Sequence, residues 1–176
     1  QELQEEGDFA VTLPRIGVMV EVPATIIQIA DLAQRADFIS IGSNDLTQYL
    51  LAVDRNNTRV ADLYSAYHPS VLRAVRYVVN EVHRVGKTVS ICGEMAGDPG
   101  TAILLMAMGF DSLSMSASNL LKVRKTICHT PLSEAKLLLD EVLAYDNPVQ
   151  IRATVEAKLT ALGLIDLIRP QGARAS

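Results

Sequence analysis

The sequence predicts an α/β fold built on a parallel β-sheet. Short apolar runs rich in β-branched residues begin near positions 16, 38 and 88, a weaker candidate strand begins near 112, and a segment with helical spacing of apolar residues follows each. Successive units of this kind give parallel strands joined by helical crossovers. A doubly wound sheet and a barrel both fit the pattern. An eight-unit barrel takes about 250 residues, so the four units would be half of one, with the other half expected upstream.

The first strand, helix and second strand are predicted near the start of the chain. The run at 15–22 is almost continuously apolar, as in a strand buried on both faces, and Pro23 ends it. Apolar residues recur at helical spacing over 24–36, and a second apolar run occupies 37–42. Residues 1–6 are typical of the last part of a helix, which favours a chain that is a piece of a longer protein.

The middle of the chain contains a short helix, a polar loop and a long amphipathic helix. Residues 44–53 are predicted to be helical, and 54–59 form the loop. Pro69 suits the first turn of the long helix, whose valines share one face, and Gly86 suits the position just after its end. The third strand is predicted at 88–91.

A buried helix dominates the next part of the chain. Asp98 and Pro99 provide an N-cap and a first-turn proline for an almost wholly apolar helix at 101–108, which Gly109 closes. The remaining elements are a weaker fourth strand at 111–115 and helices at 119–127, 134–144 (with Ser133 as its N-cap) and 149–162, followed by a polar tail.

The composition excludes several classes of function. Of the 176 residues, 49% are apolar and 20% charged, which excludes a disordered chain. No apolar run approaches the roughly 20 residues that span a bilayer. The formal net charge of −4 argues against nucleic acid as a partner, because no long basic run is present. The remaining candidates for a partner are a small molecule or another protein. The chain has two cysteines and no signal-peptide pattern, which favours the reducing cytoplasm as its compartment.

Acidic side chains are associated with the first two strands. Glu21 falls inside the first apolar run, and Asn44 and Asp45 follow the second. In isolation, Glu21 would favour a structural ion pair, and Asn-Asp after a glycine would favour a turn and helix N-cap. Because parallel strands end at one edge of a sheet, the two carboxylates converge there. Oxygen ligands without a His/Cys cluster suit Mg²⁺.

Cys92 and Arg55 are further candidates for chemistry. Cys92 ends the third strand at the same edge, where a thiol could be a nucleophile or a proton donor, although a lone cysteine beside a buried strand is more often a small core residue. Arg55 lies in the polar loop, and its guanidinium suits a phosphate or carboxylate unless it is a solvated surface charge. The three histidines are scattered and are predicted to be structural or exposed.

Together these motifs resemble the phosphoenolpyruvate-utilising enzymes. That family's long signature is similar throughout to Asp37-Phe-Ile-Ser-Ile-Gly-Ser-Asn-Asp-Leu-Thr-Gln-Tyr-Leu-Leu-Ala-Val-Asp-Arg55. Two flanking family blocks resemble Gly-Val-Met-Val-Glu-Val-Pro and Ile-Cys-Gly-Glu-Met-Ala-Gly-Asp. Within the family, three further segments are most similar to the enzyme I group of the bacterial phosphotransferase system, with its nitrogen-regulatory branch closest. They are Ala-Val-Asp-Arg-Asn-Asn, Met-Gly-Phe-Asp-Ser-Leu-Ser-Met-Ser-Ala and the Leu-Gly-Leu near the C-terminus.

The resemblance implies a (β/α)₈ TIM barrel that binds phosphoenolpyruvate and Mg²⁺. It implies that Glu21 and Asp45 are metal ligands, that Asn44, Asp45 and Arg55 bind substrate, and that Cys92 protonates the enolate carbon. The phosphoryl group would pass to a histidine on a separate N-terminal domain and then to a small HPr-like phosphocarrier protein, in an enzyme that dimerises.

The resemblance also implies a division of the chain. Residues 1–130 would be the last four units of the barrel, 131–168 helices that pack on it, and 169–176 a polar tail. The phosphohistidine domain, the first half of the barrel and the family's upstream arginines are outside this sequence, so we expect the fragment alone to be inactive. Pyruvate phosphate dikinase or phosphoenolpyruvate synthase is the enzymatic alternative, and a non-catalytic dimerisation or regulatory module is the alternative of another class.

Overall fold

A parallel four-stranded sheet forms the centre of the computed structural model, which describes residues 13–168. The strands are β1 (Gly17–Val20), β2 (Phe38–Gly42), β3 (Thr88–Cys92) and β4 (Ser112–Ser114), and they lie in the sheet in chain order. All three neighbouring pairs are parallel, which confirms the parallel α/β prediction. The predicted helix end at 1–6 and the polar tail at 169–176 lie outside the described residues.

The two faces of the sheet differ in burial. One face presents the apolar members of each strand to the helices, among them Val20, Ile39, Ile41, Val89 and Ile91, all of which are buried. The other face carries Met19, Ser40, Ser90 and Ser112, which are partly or fully exposed. Right-handed crossovers between strands added in one direction place their helices on the same side. The core therefore lies between one face of the sheet and the helices.

The helices that follow the strands mostly match their predicted positions. Their bounds are α1 (Pro23–Ile27), α2 (Ile29–Arg35), α3 (Ser43–Leu51), α4 (Pro69–Arg84), α5 (Glu94–Gly97), α6 (Pro99–Met108), α7 (Ala117–His129), α8 (Leu132–Leu143) and α9 (Pro148–Ala161). Helix α6 is buried along nearly its whole length, as its apolar composition predicts. The Asp98 carboxylate accepts the Thr101 N–H at 2.8 Å, and Gly109 is left-handed at φ +93°, so both predicted caps of α6 are present.

Three local predictions differ from the structure. The helix expected over 24–36 is two helices, because Gln28, at φ −99° and ψ 11°, interrupts them. The one-turn helix α5 was not predicted. Ser133 is not an N-cap: the Pro131 carbonyl already accepts the Ala135 N–H at 3.0 Å, so α8 has begun before Ser133.

The last two long helices share the core with the sheet units. Buried residues of α8 and α9, including Leu139, Ile151 and Val155, belong to the same apolar cluster as Ile103 and Leu104 of α6. The Lys158 ammonium pairs with the Glu134 carboxylate and links α9 to α8. Across residues 13–168, no helix has the length and apolar character needed to cross a membrane.

Candidate functional site

The predicted site residues collect at the carboxyl edge of the sheet. Glu21 is the first residue after β1, Asn44 and Asp45 lie in the first turn of α3 directly after β2, and Cys92 is the last residue of β3. Parallel strands that lie side by side end at the same edge, and there the loops after each strand carry function in α/β proteins. The structure thus places these four residues on neighbouring strand ends.

Glu21 lies at this edge in the space that Gly42, which has no side chain, leaves open. A Cβ atom built on Gly42 would lie 2.9 Å from Glu21 Oε2, so the carboxylate occupies the space that a side chain on β2 would fill. The sequence placed Glu21 inside the strand, but β1 ends at Val20 and Glu21 is only partly buried. Among residues 13–168 Glu21 forms no ion pair within 4.0 Å, so the structural ion pair considered for it is not seen there.

Asn44 connects the ends of β2 and β3. Its Oδ1 accepts the main-chain N–H of Glu94 at 3.0 Å. Gly93 makes this contact possible: its φ is +107°, and a Cβ there would lie 2.7 Å from Asn44 Oδ1. The side-chain oxygen of Asn44 is therefore already hydrogen-bonded to the loop that follows β3.

Asp45 and Arg55 form an ion pair beside Asn44. Arg55 Nη1 lies 3.4 Å from Asp45 Oδ1, with side-chain exposures of 32% and 46%. Nη1 is itself buried and has no hydrogen-bond acceptor within residues 13–168. A buried guanidinium nitrogen without an acceptor is costly, and a bound anionic group would remove that cost.

Cys92 presents a free, partly exposed thiol at the end of β3. Its Sγ donates to the Ile41 carbonyl oxygen at 3.5 Å, which is a weak contact for a thiol. The Ser43 hydroxyl donates to the Cys92 carbonyl oxygen at 2.7 Å and fixes the main chain there. In the sheet register Cys92 lies between Gly42 and Ser114. The thiol is thus accessible to a ligand at the sheet edge.

Tyr64 is a site residue that the sequence reasoning missed. It follows a 3₁₀ turn at Ala61–Leu63, and its hydroxyl donates to the Asn44 carbonyl oxygen at 3.3 Å. Burial raises the pKa of Tyr64 and Glu94 adds to the increase, while Arg55 acts to lower it. The only signal for Tyr64 in the sequence is an aromatic residue shortly after the polar loop that carries Arg55.

The three histidines make local contacts away from the candidate metal ligands. His68 Nδ1 accepts the Ser70 N–H at the start of α4, and His129 Nδ1 contacts the Lys125 carbonyl oxygen within α7. His83 Nε2 lies 3.1 Å from Asp111 Oδ2, at the amino end of the sheet. These contacts fit the prediction that all three are structural or exposed.

A cavity of about 500 Å³ lies beside the site, on the helical side of the sheet. It is lined by parts of α3, α5, α6 and α9 and by the segment around Tyr64 and Tyr67. Glu21, Asp45, Arg55 and Cys92 do not line it. The predicted site is instead the open edge of the sheet itself.

Comparison with known protein families identifies the chain. Residues 1–132 match the family described as PEP-utilising enzyme, PEP-binding domain. The chain belongs to the PEP-utilising enzymes. The matched residues include Glu21, Asn44, Asp45, Arg55 and Cys92.

Individual PEP-utilising relatives are similar over most of the chain. It is 41% identical over 169 residues to a protein of Salmonella typhimurium named phosphoenolpyruvate-dependent phosphotransferase system, covering 96% of this chain and 23% of the relative. It is 42% identical over 155 residues to the phosphoenolpyruvate-protein phosphotransferase of Haemophilus influenzae, covering 88% of this chain and 27% of the relative. The chain thus spans about a quarter of the length of these relatives.

Glu21 and Asp45 are a donor set that fits Mg²⁺. Mg²⁺ usually takes one or two protein carboxylates and completes its octahedron with water and substrate oxygens. The described residues contain no group of three or more His, Cys, Asp or Glu side chains placed to hold a metal. The pair Glu21 and Asp45 therefore fits a site in which the protein provides only part of the coordination shell.

Proposed function

We propose that this chain is the phosphoenolpyruvate-binding part of a phosphoenolpyruvate-protein phosphotransferase. The complete enzyme would transfer the phosphoryl group of phosphoenolpyruvate to one of its own histidines and then to a small HPr-like phosphocarrier protein, releasing pyruvate. The observation that carries the proposal is the buried Arg55 Nη1, which lies 3.4 Å from the Asp45 carboxylate but makes no hydrogen bond within residues 13–168. It lies beside Asn44, near the edge where Glu21 and Cys92 are also found. The names of the relatives support it.

Arg55 and Asn44 are the groups proposed to bind the substrate. Phosphoenolpyruvate carries a phosphate and a carboxylate, and a guanidinium binds either in a bidentate manner. Arg55 would direct Nη1 to that anion, while Asp45 neutralises part of its charge when the site is empty. Asn44 donates through its amide nitrogen, because its oxygen already accepts the Glu94 N–H.

Glu21 and Asp45 are proposed to hold Mg²⁺. When bound, the ion would offset the charge of the phosphoryl group as it is transferred. Glu21 directly follows β1 and Asp45 lies in the first turn of α3, directly after β2, so the two carboxylates reach the same edge of the sheet from neighbouring βα units. A side chain at position 42 would displace the Glu21 carboxylate, and Gly42 has none.

Cys92 is proposed to supply the proton that completes the reaction. Loss of the phosphoryl group from phosphoenolpyruvate leaves the enolate of pyruvate. The Cys92 S–H bond breaks as its proton forms a new C–H bond at the methylene carbon, giving pyruvate and a thiolate. The thiolate then regains a proton from solvent, to which the partly exposed side chain has access.

The sheet supports a (β/α)₈ barrel as the complete architecture. Its strands follow one another in chain order, as in a barrel, whereas a doubly wound sheet reverses its order near the middle. Within residues 13–168, no helix covers the face that carries Met19 and Ser40, although a free parallel sheet requires cover on both faces. Residues 1–130 would be the last four units, 131–168 the helices packed on them, and upstream chain the first half.

Several features of the complete enzyme are part of the proposal. It would be a homodimer of the nitrogen-regulatory branch, with the sugar-transport branch as the alternative. The two free thiols, Cys92 and Cys128, suit a reducing compartment such as the cytoplasm.

Radiolabelled phosphoenolpyruvate tests the proposal. The complete polypeptide encoded by the gene that contains this chain is expected to label an HPr-like carrier in the presence of Mg²⁺ and to release pyruvate. The 176-residue chain alone is expected to label nothing, because it contains four of the eight units. Labelling of nucleotide and inorganic phosphate instead of a carrier would support a dikinase or synthase. No turnover by the complete polypeptide would leave the dimerisation or regulatory role.

A further inference from the structure

Two consecutive side chains of α3 bind the main chain where it leaves β3. The pairing of β2 with β3 ends at Cys92, the last residue of β3. The Ser43 hydroxyl donates to the Cys92 carbonyl oxygen at 2.7 Å, and Asn44 Oδ1 accepts the Glu94 N–H at 3.0 Å. Gly93 lies between these two contacts. The chain on both sides of Gly93 is therefore hydrogen-bonded to the start of α3.

Ser43 is buried against the turn that follows Cys92. It is 2% exposed, and its hydroxyl has one proton to donate. The oxygen of Asn44 is 3.5 Å from Ser43 Oγ, so the nearer Cys92 carbonyl oxygen receives the proton. At Gly93, where φ is +107°, a Cβ atom would lie 2.5 Å from Ser43 Oγ. The turn thus packs directly on the Ser43 hydroxyl.

The Cys92 thiol depends on its own main chain for its position. Within the part of the chain that the structure describes, its only hydrogen-bond contact is the weak one with the Ile41 carbonyl oxygen at 3.5 Å. One torsion separates Sγ from the backbone, so a shift of the Cys92 main chain moves the thiol with it. A misplacement of about 1 Å can cost a reaction step about 10²-fold.

We propose that Ser43 is a positioning residue that holds the main chain of Cys92 where its thiol protonates the enolate of pyruvate. This inference rests on the proposed function, because it concerns the proton donor of that reaction. Ser43 touches no reacting atom, and removal of its hydroxyl leaves the contact between Asn44 and Glu94 in place. Loss of the hydroxyl therefore slows the protonation and leaves substrate binding and phosphoryl transfer unchanged.

The variant Ser43→Ala tests this in the complete polypeptide, where the two steps are measured separately. Labelling of the protein by radiolabelled phosphoenolpyruvate in a single turnover measures phosphoryl transfer to the histidine, and it is expected to change by less than about twofold. Pyruvate formation is expected to slow about tenfold. This is less than the 10²-fold or more that a general acid usually contributes, because the thiol remains and only its placement changes.

Two further variants separate positioning from a general loss of structure. Ser43→Thr keeps the hydroxyl, and the cavity of about 500 Å³ that Ser43 lines has room for the added methyl group. Pyruvate formation by this variant is expected to stay within about twofold of the unmodified protein. Thr130→Val is the matched control, because it removes a buried hydroxyl that donates to the Thr126 carbonyl oxygen at 2.8 Å. It should change neither step.

A double-mutant cycle tests whether Ser43 acts through Cys92. In the Cys92→Ala background, Ser43→Ala is expected to change pyruvate formation by less than about twofold. Five outcomes would each overturn the inference and leave the proposed function standing: unchanged pyruvate formation by Ser43→Ala, an equal fall in its histidine labelling, an equal loss in Ser43→Thr, a full effect beside Cys92→Ala, or unfolding of Ser43→Ala seen by circular dichroism. An unmodified polypeptide that labels no histidine and releases no pyruvate would overturn both.

Discussion

The Glu21 carboxylate lies against the backbone of Gly42, where β1 and β2 end side by side. A Cβ atom at position 42 would lie 2.9 Å from Glu21 Oε2 and 3.1 Å from Glu21 Cβ, closer than side chains normally approach. The register of the two strands pairs Val20 with Ile41, so the next residues along are Glu21 and Gly42. Because Gly42 of β2 has no side chain, there is room for the Glu21 carboxylate at the edge of the sheet.

Gly42→Ala is expected to displace Glu21 and to weaken Mg²⁺ binding about tenfold. Changing a group that orients a metal ligand typically lowers the metal affinity by at least that factor. Titration of the complete polypeptide with Mg²⁺ or Mn²⁺ measures the change. The control is Gly86→Ala, at φ +71° with no atom within 4 Å of its Cβ position: it strains the backbone far from the site. Equal metal affinities for the two variants would contradict the role of Gly42.

Cys92→Ala is expected to lower pyruvate formation by about 10²-fold or more, the usual contribution of a positioned general acid. The binding of phosphoenolpyruvate should be nearly unchanged, because the thiol makes only a weak contact with the Ile41 carbonyl oxygen. A coupled pyruvate assay and a binding titration separate the two effects. Cys128→Ala removes the other free thiol, which is exposed on α7, and should have no effect on either. A parallel loss of binding and turnover would argue against proton donation.

Tyr67→Phe is expected to destabilise the fold by about 1–2 kcal/mol, the usual effect of losing a hydrogen bond to a partly buried charged acceptor. Tyr67 is 6% exposed, and its hydroxyl donates to Asp98 Oδ1 at 2.6 Å. Burial, followed by the Asp98 charge, raises the pKa of Tyr67 well above its ordinary value, so the hydroxyl stays protonated. Urea unfolding measures the loss. Tyr145→Phe removes an exposed bond to Glu141 and should cost less than about 0.5 kcal/mol; equal losses would contradict the prediction.

Asp111 is expected to make the amino end of the sheet sensitive to acid. Burial acts to raise the pKa of Asp111, but the Val89 N–H and His83 together hold it below its ordinary value. A lowered folded-state pKa stabilises the fold above the unfolded-state value near 4, and this contribution disappears as the pH falls through the folded-state pKa. Because the carboxylate is partly exposed, the contribution is under about 1 kcal/mol.

The variant Asp111→Asn tests this contribution. It should be less stable than the unmodified protein at pH 7, and the difference should shrink at pH 3, as measured by urea unfolding at both values. Asp146→Asn, at an exposed position between α8 and α9, provides the control and should change stability equally at the two pH values. A difference for Asp111→Asn that stays constant with pH would rule out the ionic contribution.

Much of the architecture follows from local signals in the sequence. The β-branched runs predict β1, β2 and β3 because the face of each strand that packs on the helices must be apolar, whereas β4 (Ser112–Ser114) has no β-branched residue. The prediction that the first strand is buried on both faces is wrong, because Met19 is 49% exposed. Asp98, Pro99 and Gly109 predict the bounds of α6. The Asp98 side chain accepts a free N–H of the first turn, Pro99 has no N–H that needs a partner there, and Gly109 adopts the left-handed conformation that ends the helix. The prediction that Glu21 and Asn44 lie at the same edge of the sheet needs only one premise, that neighbouring parallel strands end at the same edge.

Other features depend on contacts that no local pattern contains. Gln28 interrupts a segment with good helical spacing, so tertiary packing overrides the periodicity. Helix α5 is a single turn, too short to show a period. Tyr64 reaches Asn44 from a loop 20 positions further along the chain, and the sequence has no signal for that approach. Ser133 has the right type for a cap but lies within a helix that starts earlier.

The order of the strands in the sheet has a consequence for how the protein is made. Each strand pairs with the one that precedes it in the chain, so every new βα unit has its template already in place when it is synthesised. The paired residues are distant in sequence, as Phe38 of β2 and Thr88 of β3 are, but each pairing joins neighbouring units of the chain, which is synthesised from its N-terminus. On the ribosome, the strand that ends at Glu21 would be available before the one that carries Cys92. Under the proposed assignments, we expect the site to be completed unit by unit, so that the proposed metal ligands Glu21 and Asp45 are available before the proposed proton donor Cys92.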